Sequence, residues 1–456
     1  MLDGYARNFR NARSKRCDPN PWLHFDRGDA SVRRTLQQHS RTHVADFDDY
    51  QWLILDPAAA AHLAAIADDP RPELQQLEGL RKGLAPERAR LLIEQIALRR
   101  RAVGKYGPLA DRLYFTPLQL EQATDSQIAA YKASRFRKAG EGCTIHDYCC
   151  GIGGDLMALA AGGPAVGRDL SPVACSMAEA NLRAALEISP RLAKSSVQLS
   201  DVSELTPSAN DLWHVDPDRR ADGRRSTTLE HHAPSPEVID RWRAAAPDGA
   251  VKLAPACEPP EEWLREGELE WITSQRECRQ LVVWFGRLAT LPGQRRATMI
   301  LPTAGSRSDS AELATATFAG DADVHCRSAA EPRRYLYDPD PSIIAAHLLG
   351  ALAERYGLES LGAGSVYLTG KDEVTDPLLG SFEVVELLPL RTAAVAKSLA
   401  ARGVGRVEVK KRGVATDPEK FRRKLKLHGD GEATLFLTRI GKRQVAIIAK
   451  RLDRLA

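Results

Sequence analysis

The chain of 456 residues is too long for one ordinary domain, and its apolar fraction is ample for more than one buried core. No run approaches the roughly 20 uninterrupted apolar residues of a membrane helix, and no apolar segment follows the first charges, so a cytoplasmic protein with no membrane partner is expected. The net charge of +4 conceals an asymmetry: residues 401–456 hold 16 Lys and Arg against 6 Asp and Glu, and the preceding 400 residues are mildly acidic, which points to a polyanionic partner at the C-terminal end.

Residues 1 to about 45 mix Arg-rich and Asp-containing stretches with few apolar residues, the composition of a poorly ordered extension. From 46 to about 110 the spacing turns helical, with Ala58–Ile66 and Ala89–Ile96 set off by Asp69-Pro70 and Ala85-Pro86. Between 111 and 302 strand and helix signals alternate, the mark of an α/β fold built on a parallel sheet. The strands are predicted at Thr144–Tyr148, Val166–Asp169, Val197–Leu199, Leu212–Asp216, Ala250–Leu253, Leu269–Ile272, Leu281–Phe285 and Ala297–Leu301, with helices at Asp155–Ala161 and Val173–Leu186. Residues 303–380 are less regular and read as a connecting region, with Ser306–Ser310 as a loop. From 381 to 456 a small α+β domain is predicted. Its strands are Phe382–Leu387 and Arg406–Lys410, its helices Thr392–Arg402 and Pro418–Leu425, and its hairpin Ala433–Ile440 with Gln444–Lys450 turns at Gly441-Lys442.

Chemistry concentrates in the central segment. Ile145-His146-Asp147-Tyr148-Cys149-Cys150-Gly151-Ile152-Gly153-Gly154-Asp155 joins a strand to a helix. Glycines there let the backbone turn sharply and approach a ligand, with Gly151 and Gly153 lining it. Asp147 is suited to accept from a ligand ammonium. Asp169 ends the next strand, where a carboxylate can accept both hydroxyls of a ribose. Asp201 ends the third strand, within reach of an adenine amino group. Asp216 ends the fourth, in Asp216-Pro217-Asp218-Arg219-Arg220. Each acid also has a plain structural use: Asp147 or Asp169 can hold a turn, and Asp201 can cap a helix. Four acids on four successive strand ends, in register with a glycine loop, favour a nucleoside ligand. A dinucleotide fingerprint fails, since position 156 is Leu where a third glycine is needed. The eight cysteines form no C-x-x-C pair, and His231-His232 has no companion ligand, so no metal is expected.

With these residues, 113–302 resembles class I S-adenosylmethionine-dependent methyltransferases, most specifically at Asp147–Asp155, Asp169 and Asp216–Arg220. The lead-in Leu113-Tyr114-Phe115-Thr116, Glu121-Gln122-Ala123-Thr124 and Ile128-Ala129-Ala130-Tyr131 resembles the segment before the core in a bacterial group of these enzymes. Similarity to trimethylguanosine synthases is more distant: they carry Pro-Pro-Trp after the fourth strand, where Asp216-Pro217-Asp218 stands here. The C-terminal 75 or so residues resemble the THUMP-like domain of the same bacterial group, at Arg402–Gly413 and Thr438-Arg439. The resemblance implies a seven-stranded Rossmann-like sheet, S-adenosyl-L-methionine as cofactor at Asp147, Gly151, Gly153, Asp169 and Asp201, and RNA as substrate and partner.

In that reading Asp216 orients the target atom beside the transferred methyl, and Arg219 and Arg220, with Arg224 and Arg225 beyond them, meet phosphates at the mouth of the site. Lys410, Lys411 and Arg412, with the Lys420–Lys426 cluster, supply a phosphate-binding face if they share one. Pyrimidine C5 chemistry needs a cysteine nucleophile, and Cys257 stands later than the strand end where one is expected. A small-molecule or protein methyltransferase, and a non-catalytic RNA-binding protein retaining the cofactor fold, stay open as alternatives.

Overall fold

The computed structural model describes residues 45–140, 142–187, 195–221, 224–225, 228–301, 313–362 and 364–452. The expected extension, Ala45 apart, and the Ser306–Ser310 loop lie outside the described residues.

Helices Phe47–Leu55, Pro57–Ala67, Glu73–Leu80 and Pro86–Tyr106 make up the N-terminal region. Asp56 caps the second by accepting from Ala58 N at 2.8 Å. Proline opens the second and fourth, where its missing N–H leaves nothing unpaired. The long fourth helix turns Ala89, Leu92 and Ile96 inward at three- and four-residue spacing.

The central segment folds as β1 (Ile145–Tyr148), β2 (Ala165–Asp169), β3 (Ser196–Leu199) and β4 (Leu212–Val215), then a short ribbon of β5 (Arg220–Ala221) and β6 (Arg224–Arg225). There follow β7 (Gly249–Leu253), β8 (Glu268–Ser274), β9 (Glu277–Trp284), β10 (Arg295–Ile300) and β11 (Thr315–Gly320). Without the ribbon they form one sheet in the order β11-β10-β8-β9-β7-β4-β1-β2-β3. The run from β3 to β7 is parallel, as predicted, while β9 enters antiparallel between β7 and β8. The eight strands predicted for this segment form as β1 to β4 and β7 to β10, and β11, from the span read as connecting, adds a ninth at the far edge, where the resemblance implies a sheet of seven. The chain runs outward from β1 through β2 and β3, then returns to β4 on the other side of β1. The carboxyl ends of β1 and β4 therefore flank the crevice where ligands of open α/β sheets bind. Close packing fixes this part of the sheet: Trp213 meets Trp242 edge-on at 6.0 Å, and a Cβ on Gly249, its register partner, would stand 2.0 Å from the Trp213 ring.

The second sheet contains β12 (Ser328–Ala329), β13 (Tyr335–Pro339), β14 (Glu359–Leu361), β15 (Leu368–Gly370), β16 (Leu379–Pro389), β17 (Val404–Lys411), β18 (Gly431–Ile440) and β19 (Arg443–Arg451). Its order is β12-β14-β15-β13-β16-β19-β18-β17. The span 303–380, read as connecting, thus closes the first sheet with β11 and supplies β12 to β15 to the second. Three of these strands are only two or three residues long, too short for alternation to register. Helices Thr392–Ala401 and Pro418–Lys424 cover one face, packing Val395, Leu399, Phe421 and Leu425 on Leu435, Leu437 and Ile448. Phe382, Phe436 and Tyr367 stack edge-on across the opposite face.

Candidate active site

After β1 the backbone turns through left-handed conformations at Cys149 (φ 57°), Gly151 (φ 54°) and Gly153 (φ 84°). A Cβ on Gly153 would touch Ala178 of helix Pro172–Leu186 at 3.4 Å, whereas one on Gly151 would meet nothing within 4 Å. Gly153 therefore serves helix packing, and Gly151 borders open space. Asp169, at the end of β2, ties this turn down. Its Oδ2 accepts from Gly151 N at 2.9 Å and its Oδ1 from Ser171 N at 2.8 Å. Burial pushes the Asp169 carboxyl up, and these two N–H groups oppose the shift.

Beneath the turn lies a line of buried polar groups. Asp147, 1% exposed, receives the Nδ1–H of His214 on Oδ1 at 2.7 Å, while its Oδ2 is buried with no hydrogen-bond partner. His214 Nε2 lies 3.0 Å from Lys132 Nζ, which in turn lies 2.7 Å from Asp155 Oδ1. Asp155 Oδ2 accepts from Thr124 Oγ1 at 2.7 Å. Burial opposes the charge on Asp155, but Lys132 and Lys252 outweigh it and hold the carboxyl below the usual carboxylate range. Burial pushes Lys132 down from the ordinary lysine value, against the pull of Asp155. Burial pushes the Asp147 carboxyl up, opposed by His214.

The segment 113–124 fastens the N-terminal helices to this line. Lys105 Nζ donates to the carbonyls of Leu120 (2.6 Å) and Ala123 (2.7 Å), and Tyr106 OH donates to Thr124 O at 3.1 Å. Asn181 bridges Tyr114 and the turn, accepting from Tyr114 N and donating to Ile152 O.

At the neighbouring strand ends, Asp216 Oδ2 lies 2.5 Å from Lys252 Nζ, which projects from β7. Burial opposes the Lys252 charge, yet Asp216 and Asp155 raise its pKa above the ordinary value, so it stays an ammonium. Beyond Asp216 the chain leaves the sheet and returns: Asp218 and Ala233 exchange both backbone hydrogen bonds, at 2.9 and 3.0 Å, closing the base of an excursion. Arg219 begins this excursion, half-buried and close enough to act on both Lys252 and Cys257. Arg220 lies on the ribbon that follows, opposite Arg225. Cys257 is 4% exposed, and burial pushes its thiol up to about 11, the reverse of what a nucleophile needs.

Other predicted residues are placed differently. Asp201 is exposed, and its Oδ1 accepts from Ser203 N at 2.9 Å, capping a single turn. Lys410 and Lys411 are consecutive on β17 and point to opposite faces. Lys410 Nζ is engaged by Asp338 at 2.7 Å, whereas Lys411 and Arg412 are exposed. Among the described residues no group of three His, Cys, Asp or Glu could hold a metal ion, and no helix is long and apolar enough to cross a membrane.

Reading from sequence missed Thr124, Lys132, Asp155, His214 and Lys252 as site residues. Three of them carried a signal. Lys132 interrupts the apolar stripe Ile128, Ala129, Ala133, Phe136 of helix Ser126–Ala139, and His214 stands inside the wholly buried strand Leu212-Trp213-His214-Val215. Lys252 likewise sits within the apolar run of β7. A charged or polar residue at a core position needs a buried partner, so each of the three pointed to one.

Residues 379–451 match the family described as THUMP domain-like. A solved structure from Porphyromonas gingivalis W83, assigned provisionally to the methyltransferases, superposes with a TM-score of 0.66 over 90% of this chain and 100% of that one, at 18% identity, which establishes the shared fold. An uncharacterized S-adenosylmethionine-dependent methyltransferase of Mycobacterium tuberculosis, from strains CDC 1551 / Oshkosh and H37Rv, is 33% identical over 365 residues, covering 78% of this chain and 94% of the relative. On a likeness that spans nearly the whole of that relative, the chain belongs to the S-adenosylmethionine-dependent methyltransferases.

Proposed function

We propose that this enzyme methylates a base in RNA, with the cofactor on the turn after β1 and the target atom beside Asp216. The carrying observation is the unpartnered, buried Oδ2 of Asp147 beside a turn whose Gly151 opens onto free space. Those features fit the cofactor: Asp147 would receive its ammonium, Gly151 would admit it past the backbone while Gly153 lets the following helix pack close behind the turn, and Asp169 would accept from its ribose. Asp201, at the next strand end, is the residue offered to the adenine. Bound S-adenosylmethionine supplies a methyl carbon activated by its sulfonium. The protein's part is then mainly to hold a nucleophile in line with that carbon. Asp216 suits this task because Lys252 fixes its carboxylate and leaves it about one-third exposed. Arg219 and Arg220 lie just past it, where the phosphates flanking a target base would pass.

The THUMP domain-like match and the basic C-terminal composition favour RNA over a small molecule. Lys411, Arg412 and the exposed Lys420, Arg422, Arg423 and Lys424 carry that charge, with Lys410 already answered by Asp338. In this reading the helical region 46–110 leads into a catalytic unit that runs from 111 through β11, and the sheet of β12 to β19 recruits RNA. Nucleoside mass spectrometry of tRNA and rRNA from a deletion strain and its parent tests the proposal. Loss of one methylated nucleoside supports it; an unchanged inventory, together with no methyl transfer to bulk RNA in vitro, overturns it.

A further inference from the structure

The line Asp155–Lys132–His214–Asp147 has a direction. Asp155 Oδ2 accepts from Thr124 Oγ1 and its Oδ1 lies 2.7 Å from Lys132 Nζ, the geometry of a buried ion pair, so Lys132, 1% exposed, faces it as an ammonium. An ammonium can only donate, so the 3.0 Å contact to His214 uses the lone pair of Nε2. The ring proton must then be on Nδ1, where it meets Asp147 Oδ1 at 2.7 Å. This assignment comes from the partners on either side, since a protonated Nε2 would set two donors against each other. Phe136 meets the imidazole edge-on at 6.4 Å and limits its rotation. One oxygen of Asp147 is therefore occupied by a donor of fixed direction, and the other is left buried and unanswered.

We propose that His214, kept in this tautomer by Lys132, is a positioning residue for the cofactor: it orients Asp147 so that Oδ2 is presented to the ammonium of the methionine moiety. The inference rests on the reading of Asp147 as the ammonium's partner. It assigns a task to two buried residues that the methyl-transfer step itself does not touch. A residue that acts only on the amino-acid end of the cofactor should have no effect on a ligand lacking that end.

Calorimetry with S-adenosylhomocysteine and with 5′-methylthioadenosine, which has the nucleoside but no amino-acid group, separates this role from general packing. His214→Gln places its amide near the Nε2 position, so it can still answer Lys132 but loses the donor to Asp147. His214→Asn places its amide near the Nδ1 position and keeps that donor. His214→Gln should weaken S-adenosylhomocysteine about tenfold or more, the worth of a hydrogen bond to a charged group, with 5′-methylthioadenosine unchanged. His214→Asn should hold both ligands within about threefold of the parent, the smaller effect expected when that bond is kept. Parallel weakening of both ligands by His214→Gln would show a merely structural role and overturn the proposal. So would unchanged S-adenosylhomocysteine affinity in His214→Gln while Asp147→Asn weakens it. If Asp147→Asn also leaves S-adenosylhomocysteine binding untouched, the reading of Asp147 itself fails.

Discussion

Replacing Asp216 by Ala removes the carboxylate 2.5 Å from Lys252 and leaves an ammonium, on a side chain only 12% exposed, without its hydrogen-bonded partner and with only Asp155 as a nearby counter-charge. Breaking a fully buried pair costs about 3–5 kcal/mol, and an exposed pair about 0–1 kcal/mol. Asp216 is 32% exposed, so water screens part of the interaction and a loss of about 1–3 kcal/mol in stability is expected. The effect on turnover should be larger. A nucleophile no longer held in line with the methyl carbon loses on the order of 100-fold in kcat. Affinity for S-adenosylhomocysteine should be nearly unchanged, because Asp147 and Asp169 stand on β1 and β2 and neither contacts Asp216. Thermal melts, calorimetry and single-turnover transfer of a labelled methyl group to RNA read the three quantities separately. The double variant Asp216→Ala/Lys252→Met should regain much of the lost stability and none of the turnover. Turnover retained in Asp216→Ala would refute the reasoning, and so would a fall in turnover that merely follows a fall in cofactor binding.

Asp169→Ala should weaken S-adenosylhomocysteine by at least tenfold per lost ribose bond, and also destabilise the turn, since Gly151 N and Ser171 N both lose their acceptor; equal affinity for parent and variant, by calorimetry, sinks the assignment. Arg135→Met should cost about 3–5 kcal/mol by denaturant unfolding, because it strips Glu268 and Glu270, each 0% exposed, of a shared partner; a loss below about 1 kcal/mol would show that Arg296, Tyr131 and Thr298 suffice. Burial opposes the Glu268 charge, but Arg135 and Arg296 hold its pKa below 4.5. A depressed folded value stabilises above the unfolded one, so this contribution should be present at neutral pH and vanish as pH falls below about 4.5 through the lower folded value; acid titration of Glu268→Gln, which lacks the group, should show a correspondingly shallower loss. Lys411→Ala/Arg412→Ala should weaken RNA binding and flatten its salt dependence, whereas Lys410→Ala should do so less because Asp338 already neutralises that charge; an unchanged salt slope in the pair would remove this edge from the RNA surface.

The parallel core of the fold was legible because long apolar strands alternate with helices whose glycine and proline punctuation is local. The second sheet was only half legible. Its long strands, β16 to β19, carry clear alternation, but β12, β14 and β15 are short and are held by pairing with β14, β12 and β13, more than thirty positions away. The same distinction holds in the site. Asp147, Asp169 and Asp216 were visible as acids at strand ends, a one-dimensional pattern. Lys132 reaches His214 across 82 positions, and Lys252 reaches Asp216 across 36. Spacing along the chain carries no trace of such partners; only the misfit of a charged residue within an apolar stripe does.

That misfit also separates the four strand-end acids, which the sequence presents as equals. Asp169 is answered by backbone N–H groups, so it holds the turn whether or not a ligand is present. Asp201 caps its own short helix at the surface and is the least committed to a ligand. Asp216 is answered by an ammonium, which leaves it charged, oriented and partly open to water, the properties of a group that steers a substrate atom. Only Asp147 combines full burial with an unanswered oxygen. Burying a carboxylate costs free energy unless all its acceptors are used. Here the missing donor is what a ligand ammonium would supply, so part of the cost of folding this site is recovered when the cofactor binds. Cofactor binding should accordingly raise the melting temperature of the parent protein more than that of Asp147→Asn, in which the buried charge has already been removed. Equal shifts for the two proteins, measured at ligand concentrations that saturate both, would place the stabilisation elsewhere in the site.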